Sequence, residues 1–147
     1  MAAQASLITV TIGSNDLLRL MRFTNHPLNL SCIPLILENM DKNLVRVGQE
    51  IRCLNPKAAV KVANLYNPLP SALDHQSYKM IQGAVDKANA VIVRWAECFN
   101  FYVVDLERQF RGKGQLLIGP DHLHPNVMGY QVIAQAFAHR RGSLFNV

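Results

Sequence analysis

The sequence predicts a three-layer α/β fold, in which a parallel β-sheet carries helices on both faces. Three short apolar runs, at residues 7–12, 58–66 and 101–105, have the length and composition of strands. Long segments with helical periodicity lie between these runs and after the last one. Strands that alternate with helices form right-handed βαβ units, which place the strands parallel in one sheet.

The first strand and the first long helix are predicted from two different hydrophobic patterns. Residues 7–12 are a continuous β-branched and apolar run that Gly13 ends, and we expect a buried strand there. Residues 35–54 place apolar side chains three and four positions apart, which predicts an amphipathic helix. That stripe comprises Leu37, Met40, Leu44, Val47, Ile51 and Leu54. Asn55-Pro56 ends the helix.

The second half of the chain repeats this alternation. The strand at 58–66 ends at Asn67-Pro68, and a helix is predicted from 76 to 98 before the strand at 101–105. Residues 111–126 are rich in glycine and proline, so we expect a loop. The last helix is predicted at 126–138. The apolar faces of these two helices are expected to contain Ile81, Val85, Ala88, Ile92, Trp95 and Phe99 in the first, and Val127, Tyr130, Ile133 and Phe137 in the last.

Length and composition exclude several classes of protein. The 147 residues suit one domain, and 50% hydrophobic with 17% charged residues excludes a disordered chain. No sequence repeat is present, and no run approaches the ~18 apolar residues of a membrane span. The N-terminus lacks the pattern of a signal peptide, so the cytoplasm is the default location, or secretion if a longer natural N-terminus exists.

Charge and cysteine content give no sign of nucleic acid or metal. The 15 Lys and Arg against 10 Asp and Glu are scattered without a long basic run, so we expect no nucleic-acid partner. A nucleic-acid-binding module would rest on this net charge alone. The three cysteines, Cys32, Cys53 and Cys98, form neither a disulfide framework nor a zinc pattern. We expect Cys53 and Cys98 to be buried free thiols.

Two loops concentrate the reactive side chains. Gly13-Ser14-Asn15-Asp16 follows the first strand, and residues 121–126, Asp-His-Leu-His-Pro-Asn, precede the last helix. The first is also ordinary turn and N-cap chemistry, and in the second Asn126 could simply cap the helix. A metal could use Asp121, His122 and His124, but the loops expected nearby add only Asn15 and Asp16, so we expect no metal and no organic cofactor. A histidine beside a carboxylate fits acid–base activation of a hydroxyl, and an asparagine amide fits an oxyanion donor.

In this order and on this βα pattern, the two loops resemble the SGNH (GDSL-type) hydrolase family of esterases and lipases. Its Gly-x-Asn-Asp block matches residues 13–16, and its Asp-x-x-His-Pro block matches residues 121–125. The resemblance implies Asn15 as oxyanion donor, His124 as base and Asp121 as the carboxylate that orients it. Gly13 and Asp16 are assigned to substrate binding. The strand end at 62–68 is also similar, and the resemblance covers residues 6–138.

The chain departs from the family pattern at its N-terminal side. The family's Gly-Asp-Ser block, which carries the nucleophile, and its second block, a glycine, both precede Gly-x-Asn-Asp. Neither occurs before Gly13. The family has a flavodoxin-like sheet with strand order 2-1-3-4-5, and we expect this chain to keep only strands 3-4-5. Residues 1–147 would then be a single, N-terminally truncated domain.

The resemblance implies a carboxylic-ester hydrolase acting on a small ester, such as a short acyl ester, a lysophospholipid or an acetylated sugar. Ser14 is the candidate nucleophile, because among the serines it is nearest in sequence to Asn15; the other serines are Ser6, Ser31, Ser71, Ser77 and Ser143. Apolar residues after the Asn15 loop are candidates for an acyl site or for helix packing: Leu17, Leu18, Leu20, Met21 and Phe23. The alternative is a degenerate member of the fold that assembles or binds without turnover.

Loss of the two outer strands would leave residues 7–12 at the edge of the sheet. This apolar run contains no proline and no charge, and such an edge is a template for pairing with another chain. We therefore expect a homo-oligomer, such as a dimer formed by strand pairing or segment exchange at residues 7–12.

Overall fold

A computed structural model describes residues 2–17, 30–69 and 75–139. The strands are β1 (Leu7–Val10), β2 (Ala59–Ala63) and β3 (Tyr102–Val104). The α-helices are α1 (Ile33–Leu54), α2 (His75–Cys98), α3 (Leu106–Phe110), α4 (Gly114–Leu117) and α5 (Val127–Ala138). Short 3-10 turns lie at Ala2–Gln4 and Leu30–Cys32, and residues 14–17 are helical. The long helices and strands therefore lie where the sequence periodicity predicts them.

The strands form a parallel sheet in the order β1-β2-β3, which confirms the predicted α/β fold and the strand order. Leu7 pairs with Ala59 at one junction, and Lys61 pairs with Tyr102 at the other. Within the described residues β1 pairs along one side only, so it is an edge strand. The expectation that this run is buried is wrong: its residues alternate between exposed and half-buried, and Leu7 is 47% exposed. An edge strand has a neighbouring strand on one side only, so less of its surface is covered than in the middle of a sheet.

Side chains alternate across β2 and so build a core on each face of the sheet. Val60 and Val62 are fully buried against α1 and α2, together with Met40. Ala63 faces the other way, into a second core with Phe110 of α3 and parts of α4 and α5. The helices on both faces give the three predicted layers.

Two polar side chains form hydrogen bonds at the ends of helices. Asn55, which ends α1, donates from Nδ2 to the carbonyls of Ala2 and Ala5 and accepts from the Ala58 N–H. Lys61 on β2 donates from Nζ to the carbonyl oxygens of Phe137 and His139, at 2.6 and 2.7 Å, and so holds the C-terminal end of α5 onto the sheet.

Several local expectations need correction. The 111–126 segment contains α4 within the expected loop, and α3 follows β3 where no helix was predicted. On α5, Val127 is 75% exposed and Tyr130 is 57% exposed, because the face that packs inward is made by Val132, Ile133, Ala136 and Phe137.

The predicted burial of Cys53 and Cys98 is also wrong, although both are free thiols as expected. Cys32, Cys53 and Cys98 are all free and exposed. Cys53 and Cys98 lie near the C-terminal ends of α1 and α2. None of the helices in the described part of the chain combines the length and hydropathy that crossing a bilayer requires.

Candidate active site

Both loops that the sequence singles out open onto one cavity at the carboxyl edge of the sheet. This is the edge at which open parallel sheets place their ligands. The cavity has a volume of about 320 Å³. Asn15 from the loop after β1 and His124 from the loop before α5 both line it, together with residues 63–66 at the end of β2. The parallel order of the strands thus brings together segments more than a hundred residues apart.

His124 and Asp121 form a hydrogen-bonded pair. Nδ1 of His124 lies 2.6 Å from Oδ2 of Asp121. An ionised carboxylate only accepts hydrogen bonds, so Nδ1 carries the proton and Nε2 holds the lone pair when the ring is neutral. The side chains are 67% and 51% exposed, so the pair is open to solvent in this state. This arrangement can accept a proton at Nε2 while the carboxylate fixes the tautomer.

The surroundings of Asp121 favour its ionised form. The hydrogen bond from the His124 ring, followed by those from the backbone N–H groups of His124 and Leu123, lowers the pKa of Asp121 to about 2. Both N–H groups bind Oδ1, at 3.0 and 3.1 Å. Asp121 therefore remains a carboxylate at every pH at which the protein would be expected to work, and it can stabilise an imidazolium.

The loop that carries the pair is held by backbone and side-chain hydrogen bonds. The Gly119 N–H donates to the His124 carbonyl at 2.7 Å, and His122 between them has a φ of +55°. The strained φ of a non-glycine residue here turns the chain so that Asp121 faces His124. Asn126 caps α5, because its Oδ1 accepts from the Gly129 N–H, and its Nδ2 donates to the Leu116 carbonyl. The capping interpretation of Asn126 is confirmed.

In the loop at residues 13–16, some residues line the cavity and others do not. Gly13 is buried with a φ of +102°, and a Cβ there would lie 2.8 Å from Cε of Met40. Ser14 and Asn15 are exposed and line the cavity, whereas in the described part of the chain neither Gly13 nor Asp16 does. Asp16 donates its backbone N–H to the Gly13 carbonyl. The structure therefore brings Asn15 and Ser14 to the same cavity as His124, whereas Gly13 and Asp16 are not among the residues that line it.

The candidate nucleophile Ser14 shares the cavity with His124, but no hydrogen bond joins them. Ser6, Ser31 and Ser77 do not line the cavity. Ser71 and Ser143 lie outside the described residues, as do Leu18, Leu20, Met21 and Phe23 among the acyl-site candidates. Leu17, the remaining candidate of that group, is buried and does line the cavity.

Tyr66 is a cavity residue that the sequence analysis did not identify. Its ring stacks on Phe110 with centroids 4.2 Å apart. Burial, followed by the nearby Tyr130 and Asp121, raises the pKa of Tyr66 to about 12. The hydroxyl therefore stays protonated and can donate a hydrogen bond in the cavity. Its position as the last residue of the predicted strand at 58–66 was the available signal, since the ends of parallel strands lie at the carboxyl edge of the sheet.

Asparagines brace the segment that carries Tyr66. Asn89 on α2 accepts from the Leu65 N–H at 2.7 Å and donates to the Leu65 carbonyl at 2.8 Å. Asn64 donates to Asp105 and accepts from the Glu107 N–H. These bonds satisfy backbone groups that the sheet ladder leaves unpaired beyond β2. Within the ranges that the structure describes, no three His, Cys, Asp or Glu side chains converge as ligands for a metal ion.

Comparison with known proteins agrees with this fold and these loops. A sequence model of the GDSL-like lipase/acylhydrolase family matches residues 1–132. An uncharacterized protein of Bacillus subtilis, YpmR, is 25% identical in an alignment of 141 residues that covers 89% of this chain and 52% of that protein. The chain therefore spans about half the length of this curated relative.

Solved structures share the fold at low sequence identity. The lipase Lip_vut3 from a goat rumen metagenome superposes with a TM-score of 0.78 at 21% identity, over 92% of this chain and 64% of that one. Axe2, an acetylxylan esterase from Geobacillus stearothermophilus, gives 0.65 at 21% identity, over 93% and 60%. In both cases the match covers less than two thirds of the other protein.

Proposed function

This chain belongs to the GDSL-like lipase/acylhydrolase family, and from that premise we propose that it is a carboxylic-ester hydrolase with His124 as its base. Asp121 orients His124, and Asn15 donates its side-chain amide to the oxyanion. The relatives with known structures are described as lipases and esterases, which supports the hydrolase class.

The proposed reaction passes through an acyl-enzyme. A serine oxygen attacks the ester carbonyl carbon while Nε2 of His124 takes the hydroxyl proton. The carbonyl oxygen becomes an oxyanion, which the Asn15 amide stabilises. The intermediate collapses, the bond to the alcohol oxygen breaks, and His124 returns the proton to the departing alcohol. Water then repeats the sequence on the acyl-serine, releasing the carboxylic acid and restoring the serine.

One observation carries this proposal: the 2.6 Å hydrogen bond between His124 and Asp121 lies at the rim of a cavity that Asn15 also lines. The bond leaves Nε2 free for proton transfer. An apolar cavity with few polar groups is the usual form of a site for a small organic substrate. If the only role of His124 were structural, at the start of α5, it would need neither a hydrogen-bonded carboxylate nor a position in the cavity that Asn15 lines.

Two sources can supply the nucleophile. Ser14 shares the cavity and is the first candidate within this chain. The second is a serine on another segment or another chain that docks at the same edge of the sheet. Covalent labelling with a fluorophosphonate, followed by peptide mass spectrometry, identifies the labelled serine directly, and Ser14→Ala would abolish labelling if Ser14 is the nucleophile.

Hydrolysis of chromogenic esters tests the function itself. The purified chain is assayed beside His124→Ala and Asn15→Ala, with His139→Ala and Asn43→Ala as matched exposed controls. We expect activity in the parent and controls, and losses of about 10²- to 10³-fold in Asn15→Ala, the size seen when one oxyanion donor is removed. Equal rates in parent, His124→Ala and buffer would refute the proposal.

The second candidate function is a member of this fold that binds or assembles without turnover. The observation that favours it is the lack of a hydrogen bond between Ser14 and His124 within the described residues. Without a nucleophile, most of the catalysis of such a triad is lost. Binding of a carboxylate product without ester hydrolysis would select this candidate.

We also propose that the outer side of β1 pairs with another copy of the chain. In the described residues this strand is hydrogen-bonded only to β2, and Leu7 is 47% exposed. Light scattering at micromolar concentration should show a dimer or larger species. Leu7→Lys, which adds a charge at the edge, should shift it toward monomer. Leu54→Lys, at a residue 56% exposed on α1, is the control and should leave the oligomer intact.

A further inference from the structure

The hydroxyl of Tyr66 is a hydrogen-bond donor in the cavity that the reaction described above does not use. Tyr66 is half-buried and lines the cavity together with His124 and Asn15. Within the part of the chain that the structure describes, its hydroxyl makes no hydrogen bond. A half-buried donor without a partner in the protein is satisfied only by a molecule that enters the cavity. The hydroxyl is therefore free to bind a substrate atom.

The position of the Tyr66 ring is fixed by its neighbours. The ring stacks on Phe110, with centroids 4.2 Å apart and planes 15° apart. The backbone before it is held at Leu65, whose N–H and carbonyl are both hydrogen-bonded to the side chain of Asn89. The residue after it, Asn67, donates its side-chain amide to a backbone carbonyl of α2. A donor held in place before the reaction begins needs little reorganisation when charge develops on the substrate.

Packing assigns Tyr66 to the side of the cavity that carries His124. The helical turn with Asn15 joins the core that α1 and α2 form on one face of the sheet. Tyr66 packs against the core on the other face, to which α4 and α5 contribute, and the loop with His124 connects those two helices. Burial, followed by Tyr130 and Asp121, raises the pKa of Tyr66, so its hydroxyl also lies within electrostatic reach of the carboxylate that binds His124.

We propose that Tyr66 binds the alcohol half of the ester by donating a hydrogen bond from its hydroxyl to the alcohol oxygen. The inference rests on the proposed function for the reaction, and it adds a residue that acts on the leaving group. In that reaction Asn15 binds the carbonyl oxygen, whereas the alcohol oxygen must lie beside Nε2 of His124 to receive its proton. That is the side of the cavity to which Tyr66 belongs.

The hydrogen bond acts when the bond between the carbonyl carbon and the alcohol oxygen breaks. The electron pair of that bond goes to the alcohol oxygen, which takes the proton from Nε2 of His124. Tyr66 keeps its own proton throughout and stabilises the negative charge that develops before the proton transfer is complete. An alkoxide concentrates this charge on oxygen, whereas a nitrophenolate spreads it over its ring. The contribution of Tyr66 should therefore be larger for esters of simple alcohols.

Tyr66→Phe tests this difference with two esters of the same acid, because it removes the hydroxyl and keeps the ring on Phe110. We expect kcat/KM to fall about tenfold for ethyl acetate, the size of one lost hydrogen bond, and to change less than about twofold for p-nitrophenyl acetate. This parameter covers the steps up to release of the alcohol, so hydrolysis of the acyl-enzyme, which both esters share, does not enter it. Tyr102→Phe, on an exposed residue of β3 outside the cavity lining, is the control and should change neither value.

A second measurement needs no turnover. The chain has 4 tyrosines, so carbon NMR of protein labelled at tyrosine Cζ resolves few signals, and the spectrum of Tyr66→Phe identifies the signal of Tyr66. Benzyl alcohol should shift the Tyr66 signal saturably and leave the Tyr102 signal in place. Toluene, which has the same ring and no oxygen, is the matched control and should produce a smaller shift.

The outcomes separate the inference from the proposed function. A loss of kcat/KM confined to ethyl acetate, together with a Tyr66 signal that responds to benzyl alcohol, supports the inference. Equal losses with both esters, or a loss with neither, leave the hydrolase in place and overturn the role of Tyr66. If the parent hydrolyses neither ester, the proposed function is refuted and the titration decides alone. A saturable shift of the Tyr66 signal then supports the alcohol site, and an unmoved signal overturns it.

Discussion

Replacing Gly129 with alanine tests whether the contact between α5 and the preceding loop positions the His124–Asp121 pair. Gly129 is buried in the first turn of α5, and its N–H is bonded to Asn126. A Cβ at this position would lie inside van der Waals distance of the Leu117 carbonyl oxygen and 2.7 Å from Cβ of Pro125. Neither neighbour can rotate away, because one is a backbone carbonyl oxygen and the other belongs to a proline ring.

The size of the effect follows from that geometry. Two carbons pack at about 3.5 Å, so α5 and Pro125 must separate by roughly 0.8 Å. Overpacking of this kind costs roughly 1–3 kcal/mol. Alanine in place of glycine in a helix returns up to about 1 kcal/mol. We expect a net loss of about 1–2 kcal/mol in the free energy of unfolding, and a shift of His124, one residue before Pro125.

Gly83→Ala is the matched control. Gly83 lies in α2, is exposed, and a Cβ there would meet no atom within 4 Å. The same replacement should therefore stabilise the protein by about 0.5–1 kcal/mol. Chemical denaturation of both variants measures the difference, and carboxyl-carbon NMR of Asp121 reports whether the pair has moved. If Gly129→Ala is as stable as Gly83→Ala and leaves the Asp121 titration unchanged, the packing argument is refuted.

Three further predictions concern other contacts. His124→Ala should raise the pKa of Asp121 from about 2, because the hydrogen bond from the His124 ring is the largest cause of the lowered pKa, and an NMR titration of the Asp121 carboxyl should move upward. A carboxyl whose pKa is lowered by folding stabilises the fold above its unfolded pKa, and that stabilisation is lost as pH falls through about 2, so the loss of stability in acid should be smaller in the variant. Arg52→Ala should lower the free energy of unfolding by about 2–3 kcal/mol, measured by chemical denaturation, and Arg52→Lys should recover only part of that loss. The Arg52 guanidinium donates hydrogen bonds to backbone carbonyls and lies 4.7 Å from the centroid of the Phe101 ring; the carbonyls are those of Phe99, Ala58 and Asn100. Lys61→Met should lower the free energy of unfolding by about 1 kcal/mol and speed amide hydrogen exchange in the last turn of α5, because Lys61 Nζ binds carbonyl oxygens at the end of that helix. Unchanged exchange there would contradict the role of Lys61 in capping α5.

Local periodicity accounts for the parts of the fold that the sequence predicts well. The bounds of α1 and α2 were predicted within two residues. The two signals used, an apolar stripe with a period of 3.6 residues and a terminating Asn-Pro pair, depend only on residues close together in the sequence. Asn126 was identified as a cap for the same reason. Burial was less predictable: the exposed Cys53 and Cys98 occupy helical positions whose cover depends on what another segment places opposite them.

The sequence by itself determined the alternation of strands and helices, the parallel sheet that follows, and the two loops that carry Asn15, Asp121 and His124. These depend on side-chain period and turn chemistry, which act over a few residues. Only the tertiary structure decided that Asn15 and His124 share a cavity, that Tyr66 joins them, and that Gly13 does not line it. Those facts depend on distances between segments far apart in the chain, which are set by how the helices pack on the sheet rather than by any local pattern.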